Sequence, residues 1–207
     1  MEVALEACAT YLVNKGATVE ISLNGLIDLE SITHTFLSQL MALLCVDLSD
    51  NDYKKAQADA MKLALDDRSL EAFALRGQVL SYRDFGRVGR TKTLLRHQWR
   101  ELFNKFDVVL CPVMPISAFA HDHSQDMNAQ TLMVDDRSIP YGEVGLWCSL
   151  ATLTGQPSTV MPIGQCSKGL PIGMQIIGPF LEDLTTITFA HCLEREFGGF
   201  KLPPMFL

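Results

Sequence analysis

Three short apolar runs constrain this chain more than any other feature. Asp107-Val108-Val109-Leu110-Cys111-Pro112 and Ile172-Gly173-Met174-Gln175-Ile176-Ile177 are nearly continuous in apolar character, and Ser158-Thr159-Val160-Met161-Pro162-Ile163 lies between them. None shows the strict alternation of a strand with one wet face. The first, short and closed by proline, reads as a strand buried on both faces, with helices above and below, and the other two read as further apolar strands. Gly164-Gln165-Cys166-Ser167-Lys168-Gly169 separates the last two runs as a hairpin-like turn. An α/β fold follows.

The flanking segments agree with that class. Residues 2–15 place Ala4, Ala7, Cys8, Tyr11 and Leu12 on one helical face, and Lys15-Gly16 supplies a stop. Ala17-Thr18-Val19-Glu20-Ile21 alternates with period two and predicts a half-buried strand. From about 31 to 105 the pattern is helical, with breaks expected near Ser49-Asp50-Asn51-Asp52, Gly77 and Gly86. Leu95, Trp99, Leu102, Phe103 and Phe106 mark a long helix packed on a core. The run Phe36–Cys45 has the length of a core helix. Residues 117–142 lack periodicity and read as one long loop, and Tyr141–Thr154 reads as helix. A final helix opens at Glu182-Asp183, with Leu184, Ile187, Ala190, Leu193 and Phe197 expected on its inner face.

Composition narrows the function classes. The 207 residues are 48% apolar and 20% charged, which places the chain among folded domains rather than disordered ones. A net charge of −7 argues against nucleic acid or an anionic membrane as a partner. No run reaches the ~18 apolar residues that would span a bilayer, and the opening residues lack a basic leader. The six cysteines form neither a C-x-x-C pair nor a cluster, so reduced thiols in a cytoplasmic protein are expected, with no cofactor.

The chemical candidates are few. His121-Asp122-His123, with Asp126, is the densest group of metal-ligating types, but solvated polar residues are the expected reading and no metal site is predicted. Cys111 closes an apolar strand and reads as a buried, inert thiol. Residues 83–105 carry Arg83, Arg87, Arg90, Lys92, Arg96, Arg100 and Lys105 against Asp84 and Glu101, a net +5, which reads as the wet face of the long helix. Among the twelve serines there is no Ser-Ser, Ser-Gly or Gly-Ser pair, so neither a strained nucleophile turn nor a glycine-rich oxyanion loop is legible.

Three segments together resemble the amidase signature family. They are Leu102–Pro115, which runs from a long helix into a buried strand, Leu153–Gly164, and Gly169–Pro179 followed by Glu182-Asp183. The resemblance implies an α/β/α sandwich with a mixed central sheet and helices on both faces, and hydrolysis of amide C–N bonds by a Ser, a second Ser in a cis peptide, and a Lys. No position here matches that catalytic motif, so no catalytic residue is carried over, and Lys168 sits in a turn between strands.

Residues 1–207 are therefore expected to be the C-terminal portion of one amidase domain, inactive alone. The partners expected are an N-terminal amidase half, or a further copy through an exposed sheet edge, and a small-molecule amide. By resemblance, Met114, Pro115, Ile116, Ser117, Tyr141 and Trp147 lie near the acyl side of the substrate pocket. The alternative is a non-catalytic, decayed amidase-like protein that folds alone or binds a partner. Apolar strands left without neighbours predict poor solubility or self-association.

Overall fold

The structure is a computed structural model that describes residues 1–124 and 129–202. In chain order the helices are α1 (Glu2–Asn14), α2 (Leu29–Leu44), α3 (Asp50–Met61), α4 (Leu70–Gln78), α5 (Tyr82–Phe103), α6 (Ser149–Thr152) and α7 (Asp183–Phe197). The strands are β1 (Val109–Pro112), β2 (Thr131–Val134), β3 (Arg137–Pro140), β4 (Ser158–Gln165) and β5 (Pro171–Ile177). They divide between two compact units, Met1–Asn24 with Arg100–Leu207, and Gly25–Trp99.

The first unit is built on a three-stranded sheet in the order β1-β5-β4. The three apolar runs are its three strands. β5 pairs antiparallel with β1 through Val109↔Ile177 to Pro112↔Met174, and antiparallel with β4 from Ser158↔Ile177 to Gln165↔Pro171. The α/β class expected from the sequence is present, and both ladders of this sheet are antiparallel. Ile172, Met174 and Ile176 point from β5 into a cluster with Met161, Ile163, Cys8 of α1 and Leu193 of α7. Each such side chain contributes about 1.5–3 kcal/mol by leaving water. The other face of β5 is also covered, because Gln175 and Ile177 are buried. A strand buried on both sides needs no alternation, which is why the run 172–177 shows none.

Several expectations are corrected. Residues 17–21 form no strand, and Ile21 is 83% exposed; among the described residues no strand pairs with them, so they have no ladder to join. The inner face of α7 is turned from the one expected. Thr186, Phe189, Ala190, Leu193 and Phe197 lie inward, while Leu184 and Ile187 are exposed. Residues 117–142 are not one loop, because β2 and β3 pair as a hairpin from Thr131↔Pro140 to Val134↔Arg137. The helix expected over 141–154 is two 3-10 turns, Tyr141–Glu143 and Leu146–Cys148, and the short α6.

The second unit is helical and its starts are legible. Asp28, Ser49 and Ser69 accept from the backbone N–H of Ser31, Asp52 and Ala72, capping α2, α3 and α4. Ser81 accepts from Asp84 N at the start of α5. Gly86 is inside α5 and breaks nothing. Gly77 lies one residue before the end of α4, near the break expected there, and is also a close-approach residue: an added Cβ would lie 2.8 Å from Met41 Cβ of α2. The basic side chains Arg83, Arg87, Arg90, Arg96 and Arg100 are exposed and Leu95, Trp99 and Leu102 buried, as expected of α5.

Candidate functional site

β1 delivers the chain to a turn at Val113–Ile116, where Met114, Pro115, Ile116 and Ser117 are all half-buried. Proline at 112 and 115 restricts the backbone on both sides of Met114. Directly after β3, Tyr141 opens a 3-10 turn. Its N–H donates to the Gln130 carbonyl at 2.9 Å, and its ring meets Phe119 edge-on at 6.1 Å. Trp147 is 37% exposed.

Two side chains join the turn after β1 to the Trp147 segment. The Cys148 thiol donates to the Val113 carbonyl at 3.7 Å. Buried Gln175, central in β5, donates through Nε2 to Cys111 Sγ at 3.2 Å and to the Trp147 carbonyl at 3.4 Å. Val113 also packs over Gly173, where an added Cβ would stand 3.6 Å from Val113 Cγ2. The segments holding Met114 and Trp147 are thus adjacent, with a buried amide between them and the sheet. Ser117 lies apart from that contact, with its hydroxyl on the Cys166 thiol of the β4–β5 turn.

The electrostatics separate the two thiols. Burial pushes the Cys111 thiol up to about 11 against the bond from Gln175, which keeps it protonated near neutrality. Cys166 is drawn below its usual range, first by the Lys168 backbone N–H and then by the Ser117 hydroxyl.

The other sequence candidates do not converge. His121 and His123 have ring centroids 5.8 Å apart, and Asp122 accepts from Ser124 N at 2.8 Å, a bond that holds its carboxyl low. Among the described residues no three His, Cys, Asp or Glu side chains group as metal ligands, and Asp126 lies outside those residues. Two open clefts lie elsewhere. One of about 410 Å3 runs along the outer side of α1, lined by Glu6, Ala9, Thr10, Val13, Asn14 and Ile21. The second, about 270 Å3, is lined by Gly25, Leu26, Ile27, Asp28 and Gln98.

Gln175 and Cys148 were not singled out by sequence. Gln175 carried a signal, as the one polar side chain within an otherwise apolar strand: a buried amide must find partners. Ser149 also escaped notice. It is fully buried, and its hydroxyl has no hydrogen-bond partner among the described residues.

Comparison with known proteins agrees with this architecture. The family model described as Amidase matches residues 5–187. The chain belongs to the amidase family. Over 121 residues it is 29% identical to a glutamyl-tRNA(Gln) amidotransferase subunit of an Exiguobacterium species, covering 58% of this chain and 23% of that protein. The corresponding subunit from Anaeromyxobacter dehalogenans is 33% identical over 119 residues, covering 57% of this chain and 22% of the relative. The crystal structure of an amidase superposes with a TM-score of 0.67 at 20% identity, over 95% of this chain and 42% of that one. The chain thus spans less than half the length of the proteins it matches. Among the described residues no helix is long and apolar enough to cross a membrane.

Proposed function

We propose that this chain supplies a sheet core and part of the acyl-side wall of an amidase active site that hydrolyses the C–N bond of a small-molecule amide. The Ser–Ser–Lys chemistry then comes from a serine- and glycine-rich segment outside residues 1–207. Met114, Pro115, Ile116, Ser117, Tyr141 and Trp147 face the acyl group. The reading is carried by one observation: the turn after β1 and the Trp147 segment, far apart in sequence, meet through Cys148–Val113 and Gln175–Trp147.

A wall of this kind has limited chemical duties. It fixes the acyl group against the nucleophile and keeps water off its apolar side, both of which lower the barrier by orientation. Half-exposed Trp147 and half-buried Tyr141 offer large, stiff surfaces for that purpose. In the three-stranded sheet β5 is central, so β1 and β4 each present an outer edge. A completing segment, or a further copy of the chain, would pair there.

The test uses the chain mixed with the N-terminal segment of an amidase-family enzyme. In the active mixture, Trp147→Ala is expected to lower kcat/KM for a bulky acyl amide by about tenfold, ~1.4 kcal/mol of transition-state binding. Acetamide-sized substrates are expected to be much less affected. Unchanged acyl preference in both Trp147→Ala and Met114→Ala would refute the wall.

A further inference from the structure

We propose that Cys111 and Cys148 form a reversible disulfide latch, closed by thiol–disulfide exchange with a low-molecular-weight disulfide, that ties the end of β1 to the Leu146–Cys148 turn. The two sulfurs already take part in one small ring of contacts. Gln175 reaches from Cys111 Sγ to the carbonyl of Trp147, the residue before Cys148. Cys148 Sγ returns to the carbonyl of Val113, two residues past Cys111. Cys111 pairs directly with Gln175 across the ladder, so its side chain shares the face of β5 on which Gln175 meets the turn.

The other cysteines are placed differently. Cys8 is buried in the cluster between α1 and the sheet, Cys192 is exposed on α7, and Cys45 is half-buried just past α2. Cys166 is in the β4–β5 turn beside Ser117.

Exposure sets the order of events. Cys148 is half-buried and Cys111 is 4% exposed, so Cys148 is the entry thiol and Cys111 the resolving one. The Cys148 thiolate attacks one sulfur of the small disulfide, forms a mixed disulfide and releases one small thiolate. The Cys111 thiolate then attacks the Cys148 sulfur, the protein disulfide forms, and the second small thiolate leaves. Two protein thiols and one small disulfide become one protein disulfide and two small thiols. Burial of the Cys111 thiol makes the second step slow near neutrality and faster as pH rises. Any effect on substrate rests on the wall proposed above, but the disulfide does not.

The latch is tested in the full chain carrying Cys45→Ser, Cys166→Ser and Cys192→Ser, treated with oxidised glutathione without denaturant. Peptide mapping is expected to find Cys111 joined to Cys148, with no retained glutathione and full reversal by dithiothreitol. Adding Cys111→Ser is expected to trap glutathione on Cys148, and the rate of closure to rise about tenfold per pH unit from 7 to 9, with the thiolate fraction of Cys111. Circular dichroism confirms that each variant is folded. Stable glutathione on Cys148 with Cys111 still reduced, or joining of the pair only in urea, would overturn the proposal. Because no substrate is used, failure here leaves the pocket reading to its own test.

Discussion

The hydroxyls of Thr159 in β4 and Thr186 in α7 hydrogen-bond at 2.8 Å and join the helix to the sheet. Thr186 also donates to the Asp183 carbonyl at 2.9 Å and is 1% exposed. With one hydroxyl donating into the helix and accepting from the strand, the buried polar group is fully used. The same side chain fills the space over Gly178, where an added Cβ would lie 2.6 Å from Thr186 Cγ2.

Gly178→Ala is therefore expected to destabilise the chain by about 1–3 kcal/mol through overpacking. Thr186→Ser removes the offending methyl and keeps the hydroxyl. The double variant should recover most of the loss, with a coupling of at least ~0.5 kcal/mol in denaturant midpoints. Simple additivity of the two losses would show that the contact is not tight.

Acid is expected to loosen the helical unit before it affects the carboxylates. The His34 ring stacks on Phe73 at 3.7 Å and 9°, and its Nδ1 lies 3.8 Å from Glu30, which is itself bonded to Arg68 at 2.8 Å. Burial lowers the pKa of His34, more than the Glu30 and Asp28 charges raise it. The unfolded chain then binds the proton more readily, so stability present above about pH 6.5 declines as pH falls through the depressed value. Urea midpoints should drop between pH 7 and 5, and less so in His34→Gln. A midpoint flat across that range would contradict the sign.

The β2–β3 hairpin turns through Asp135 and Asp136 at φ 47° and 62°. Two positive values across a two-residue connection mark a type I′ turn, in which glycine is favoured at the second position. Asp136→Gly should relieve about 0.5–1 kcal/mol of backbone strain. Slower amide exchange across Thr131–Pro140 is the readout. Faster exchange would show that the aspartate side chain contributes more than the strain costs.

Local chemistry made much of this fold legible, and partner-dependent features stayed hidden. The strands are legible because their inward positions are apolar: β5 is buried on both faces, while β4 leaves Ser158, Val160 and Gly164 exposed, and Ser49, Ser69 and Ser81 are the capping type. Leu184 and Ile187 fit an inner face as well as Phe189 does, and Thr186 turns inward with its hydroxyl on Thr159, a partner distant in sequence. Residues 17–21 alternate like a strand but pair with no strand among the described residues. At the candidate site, Met114 and Trp147 were named through resemblance. The link between their segments runs through Gln175 and Cys148, whose partners are far away in sequence.

Amide turnover by the isolated chain tests the central claim most directly. Ammonia release from simple amides and labelling by a fluorophosphonate would be followed for the 207 residues alone, and again after adding the N-terminal segment of an amidase-family enzyme. The expected result is neither turnover nor label on the chain alone, and turnover in the mixture with the label confined to the added segment. Hydrolysis by the isolated chain, with label on one of its own serines, would contradict the proposed division of labour.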